Sequence, residues 1–153
     1  MARPKRPRGH RLVRETPQTR YEAKPNPAAL TGVLLDSDVV IDVLRGRRET
    51  TRAVEQLTRA GIPTYCTPIT WAEVFAGLRP GEEAETQAFF DARGEVILDS
   101  AIGRRAGAYL ARYGRSHGLE IADALIAAAA ATSGLRLWTG NRRHYPMEDV
   151  GFV

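Results

Sequence analysis

Cysteine is nearly absent. Cys66 stands alone, so no internal disulfide can form, and three scattered histidines give no Cys/His spacing of a zinc site. Within "PTYCTPI", Cys66 reads as a small buried residue, and the chain is expected to suit a reducing cytoplasm. No apolar run approaches the roughly 20 residues needed to cross a bilayer. The basic N-terminus lacks the apolar core of a secretory signal, so no membrane association is expected. Lysine is missing from residue 30 onward, and no glycine-rich loop offers a cradle for nucleotide phosphates. What remains is a chain of 153 residues, enough for one domain with its own core.

Charge divides that chain unevenly. Residues 1–29 hold eight Lys/Arg against two Glu, whereas the rest holds 14 against 16 Asp/Glu. The segment 1–30 is also proline-rich and lacks periodicity, so it is expected to be a disordered basic extension. Two uses for it stay open: a solvated tail, or an arm that binds RNA through charge alone.

From Val33 a regular alternation begins, and residues 31–153 are expected to form one α/β domain. "GVLLDS", "PTYCTP", "EVILD" and "LRLWTGN" read as strands, and the tail to Val153 offers a fifth. Between them lie helical stretches: "DVVIDVLRG", "TTRAVEQLTRAG", "ITWAEVFAGLRPG", "EEAETQAFFDARG", "SAIGRRAGAYLARYGRSHG" and "IADALIAAAAATSG". Ser100 is expected to cap the fifth helix, and Asp38 the first, with a secondary role at the site as its alternative. Strands alternating with helices predict a small parallel sheet of four to five strands flanked by helices. In such sheets ligands bind beyond the carboxyl ends of the strands.

That edge is where the unusual acids fall. Asp36 follows the first strand, Glu73 lies one turn into the helix after the second, Asp123 opens the alanine-rich helix, and Asn141 follows "LRLWT". Glu73 sits among Trp71, Val74 and Phe75, where a carboxylate is costly unless paired. Asp123 is the only charge between Ile121 and Leu135. Converging carboxylates repel and need neutralisation, and no lysine is at hand. A hard divalent cation such as Mg²⁺ meets that need and supports phosphodiester hydrolysis. Each residue also has a bland reading, as a helix cap, a solvated acid or a turn residue. Arg142, Arg143 and His144 adjoin Asn141 and are candidates for RNA contact. Arg45, Arg47 and Arg48 are expected near the same rim.

The ordered set "LLDSDVVIDVLRG", "ITWAEVFAGL", "IADALIAAAAATSGLRLWTGN" and "NRRHYP" resembles the PIN-domain ribonucleases, in particular the VapC-like toxins of bacterial toxin–antitoxin pairs. The resemblance covers about residues 32–153. It implies a metal-dependent endoribonuclease with Mg²⁺ or Mn²⁺ held by Asp36 and Asp123, and Glu73 as a further candidate for the metal. Glu73 would complete the acidic pocket and orient the attacking water, with Asn141 as the fourth polar position. It also implies a homodimer and a small antitoxin whose C-terminal segment covers the site. An apolar helix of that partner is expected near Trp71, Phe75 and Leu78, unless those three are ordinary core. Two other classes compete. One is a catalytically silent PIN-like module that binds RNA or antitoxin, and the other is a phosphatase or flap nuclease using the same acids.

Overall fold

The computed structural model describes residues 31–153, so the expectations for residues 1–30 lie outside the described residues. Along the chain run β1 (Val33–Leu35), α1 (Ser37–Leu44), α2 (Arg48–Arg59), β2 (Thr64–Cys66), α3 (Pro68–Ala76), α4 (Glu83–Asp91), β3 (Gly94–Glu95), α5 (Ser100–His117), α6 (Ile121–Ser133) and β4 (Arg136–Trp138). A 3₁₀ turn follows at Arg142–His144. All four strands are parallel, in the order β3-β2-β1-β4. Phe152 adds a single parallel bridge to Leu137 outside β4, the remnant of the expected fifth strand. The expected α/β fold is thus present. Among the described residues no helix is long and apolar enough to cross a membrane.

The sheet is covered on both faces, so alternate side chains of its strands divide between two cores. In β1, Leu34 enters the core under α5 and α6. Its neighbours Val33 and Leu35 enter the core under α1 to α4, with Cys66 and Phe90. Alanine at 124 and 127–130 is fully buried, which lets α6 press close to the sheet. Gly134 ends α6 at φ 72°, a left-handed conformation that glycine adopts freely.

Several boundaries differ from the expectation. α3 starts at Pro68 because Thr67 caps it, its hydroxyl accepting from the Thr70 N–H. It ends at Ala76, a turn before the Pro80-Gly81 stop. β3 is Gly94–Glu95 rather than "EVILD". Asp99, not Ser100, caps α5, its carboxylate accepting from the N–H groups of Ala101 and Ile102. A carboxylate one residue earlier reaches two orphan donors, and its charge favours the helix N-terminus.

Candidate active site at the carboxyl edge of the sheet

Asp36 stands at the junction of β1 and α1. Its N–H donates to Trp138 O at 3.0 Å, so the backbone still belongs to the sheet. Its φ of −74° and ψ of 161° make it the N-cap of α1, and its carboxylate accepts from the Ser37 N–H at 2.7 Å. The cap expected of Asp38 therefore falls to Asp36, because β1 ends at Leu35, two residues earlier than that reading requires. Asp38 instead ties α1 to the loop after β4. Its carboxylate accepts from the N–H groups of Val39 at 2.7 Å and Gly140 at 2.8 Å. A Cβ at Gly140 would stand 2.8 Å from Asp38 Oδ2, so a side chain there would push that carboxylate aside.

Asp123 enters from the first turn of α6, half-buried. What joins it to Asp36 is Tyr145, a residue absent from the expected set. The Tyr145 hydroxyl donates to Asp36 Oδ2 at 2.7 Å and lies 3.4 Å from Asp123 Oδ1. The two carboxylates thus converge on one oxygen. Tyr145 is only 4% exposed. The 3₁₀ turn delivers it there, its N–H donating to Arg142 O. The signal available in the sequence was its place directly after His144. Nothing local reveals that the chain folds back over the acids.

Glu73 behaves differently. It is exposed, not buried among its apolar sequence neighbours, because Trp71 and Phe75 turn away to stack on each other and with Phe90. Glu73 reaches the cluster through a hydrogen bond from the Ser37 hydroxyl. Asn141 faces the imidazole of His144, whose Nδ1 lies 2.8 Å from its amide nitrogen and 3.6 Å from Asp123 Oδ2. Arg143 donates to Asn141 Oδ1 at 3.3 Å, and the guanidinium of Arg142 lies 4.6 Å from the Phe152 ring centre. Both arginines are exposed beside the acids. Arg45, Arg47 and Arg48 are at the other end of α1, and Arg47 pairs with Asp42, so they do not line this rim.

Electrostatics sets the character of the site. Burial, then the charge of Asp36, holds the Asp123 carboxyl above its ordinary range, against the opposing pull of His144 and the Tyr145 hydrogen bond. The Asp38 carboxyl is raised first by burial and then by Asp36, against its two backbone donors. Burial followed by the same acids pushes the Tyr145 hydroxyl far above its usual value, so it remains a donor. Among the described residues, no three His, Cys, Asp or Glu side chains are grouped as a metal cage. That donor set does not fit a closed zinc site. Two converging carboxylates with access to water do fit Mg²⁺, which commonly takes one or two protein carboxylates and keeps several waters.

Residues 33–151 match the sequence model of the PIN domain. The chain is 34% identical over 115 residues to "Ribonuclease VapC19" of Mycobacterium tuberculosis, covering 74% of this chain and 92% of that protein. Against "Ribonuclease VapC10" of the same organism, identity is 34% over 116 residues, covering 75% and 86%. In structure it is similar to a toxin–antitoxin complex from Klebsiella pneumoniae, with a TM-score of 0.64 and 27% identity over 78% of this chain and 95% of that one. The carboxyl-edge acids, the parallel order β3-β2-β1-β4 and these likenesses agree: the chain belongs to the PIN-domain family and, within it, to the VapC group.

Proposed function

We propose that this protein is the toxic member of a toxin–antitoxin pair, an endoribonuclease that uses a metal-activated water. The observation that carries this reading is the convergence of Asp36 and Asp123 on one hydroxyl in a chain whose relatives carry the name ribonuclease. Asp36 and Asp123 would hold Mg²⁺ or Mn²⁺, the ion supplying charge stabilisation and a lowered pKa for bound water. Glu73, exposed and tethered through Ser37, is the residue free to orient that water and accept its proton. Arg142 and Arg143, exposed at the rim, are suited to the RNA backbone because guanidinium meets phosphate in a fork. Asn141 and His144 form a polar support beside Asp123.

Its partner is a small antitoxin, a reading supported by the Klebsiella pneumoniae toxin–antitoxin complex among its structural neighbours. The surface we assign to an apolar antitoxin helix is lined by Ile41, Leu44, Val74 and Leu78. Trp71 and Phe75 pack into the core instead. A homodimer is the assembly we expect of it.

The test is cleavage of total cellular RNA by purified wild type, Asp36→Ala and Asp123→Ala, each with Mg²⁺ or EDTA. Discrete new 5′ ends should arise only with the wild type in Mg²⁺. Cleavage retained by the Asp36→Ala/Asp123→Ala double variant would sink the reading. Tight RNA binding by the wild type without cleavage would leave a silent binding module in its place.

A further inference from the structure

Tyr145 is held in place from several directions. Its ring is buried and meets the Phe152 ring edge-on, with centroids 6.3 Å apart. Phe152 is in turn fixed by its bridge to Leu137 and by Arg136, whose guanidinium donates to Phe152 O. Between them, Asp149 accepts from Arg105 at 2.9 Å and from the Tyr109 hydroxyl at 2.7 Å, tying the segment to α5. Met147 and Val150 are buried in the α5–α6 core. The hydroxyl therefore meets the two acids from a fixed point, rather than following them.

Asp36 and Asp123 come from different elements on different faces of the sheet, and like charge drives them apart. Their separation in the folded chain cannot exceed the sum of the two distances to the tyrosine oxygen. We propose that Tyr145 is a positioning residue whose hydroxyl sets the spacing of the Asp36 and Asp123 carboxylates for a divalent cation. The inference rests on the ribonuclease reading of the same site but concerns binding, which is measured without RNA. Hydrogen bonds that orient ligating side chains typically contribute 10–100-fold to metal affinity. With one proton and a short bond to Asp36, Tyr145 orients that carboxylate most strongly.

The experiment is calorimetric titration of Mn²⁺ into the full chain as wild type, Tyr145→Phe and Tyr109→Phe. Phenylalanine keeps the ring and its packing while removing only the hydroxyl. Tyr109→Phe removes a second tyrosine–aspartate hydrogen bond, from the same C-terminal segment but away from the acids. Tyr145→Phe should bind Mn²⁺ about tenfold more weakly, whereas Tyr109→Phe should stay within about twofold of wild type. Equal affinity in wild type and Tyr145→Phe overturns the proposal, and equal weakening in both variants also overturns it by making the effect one of general structure. In each of those cases wild-type Mn²⁺ binding and cleavage leave the ribonuclease reading standing. A wild type that takes up no Mn²⁺ overturns the proposal together with the metal-dependent reading.

Discussion

Under α5 and α6 the core is built on a run of buried alanines from α6 beside Tyr109, Tyr113 and Tyr145, whereas under α1 to α4 valines and Leu35 meet a cluster formed by Trp71, Phe75 and Phe90. On the first face, Ala127 to Ala130 are wholly buried and α6 lies against the strands with nothing to spare. On the second, Trp71 stacks on Phe75 and on Phe90, the latter 4.2 Å away, and clefts open between the short helices. Among the described residues, two buried polar atoms of the second face have no hydrogen-bond partner, Thr51 Oγ1 and Arg93 Nε. Small side chains let α6 lie close to the sheet, whereas the short helices of the other face leave recesses between them. The acids sit on the seam, Asp123 from the alanine wall and Asp36 from the aromatic side. A site assembled across two differently built layers needs a tie between them, and Tyr145 is that tie.

The strongest way to break the contrast is to remove a ring. Phe90→Ala should cost about 3–5 kcal/mol in urea unfolding, because a stacked aromatic leaves a cavity that its neighbours fill poorly. A loss under about 1 kcal/mol would mean that the aromatic face repacks freely. The alanine wall should fail in the opposite sense, by overfilling. Ala128→Leu is expected to cost roughly 1–3 kcal/mol, measured the same way. A neutral result would show slack that full burial of Ala128 argues against.

The smallest expected effect lies at the seam and depends on pH. The Asp123 carboxyl is raised in the folded chain, by burial first and Asp36 second. The folded chain therefore binds that proton more tightly than the unfolded one. The stability linked to it is fully present below the ordinary carboxylate value of about 3.9 and is lost as pH rises through the raised value. In EDTA, Asp123→Asn should consequently melt above the wild type at pH 7, with the gap closing toward pH 4. A gap that does not change with pH would mean that the carboxyl carries no strain.

The alternation of strands and helices was legible from period and punctuation, since Gly46, Gly61 and Gly134 mark helix ends and "IADALIAAAAATSG" has unmistakable helical propensity. Asp36 and Asp123 were legible because each puts charge beside an apolar run. The surroundings of Glu73 were not. Its neighbours in sequence are apolar, but a helix turns them to a different side, and only packing tells which side is wet. Asp38 and Ser100 were taken for caps because the helix starts were misplaced, by two residues and by one, an error local composition does not resolve. Tyr145 depends on a long-range return of the chain over 109 residues to Asp36, which no short motif encodes.

Cys66 offers a further use of the difference between the faces. It sits in β2 beneath the aromatic layer, 1% exposed, and burial pushes its thiol up to about 12. Sealed in this way, it is a poor nucleophile in the native chain and a normal one once that layer lifts. Thiol-reagent labelling would therefore clock the opening of the layer over β2, through the one cysteine of the chain and with no introduced probe.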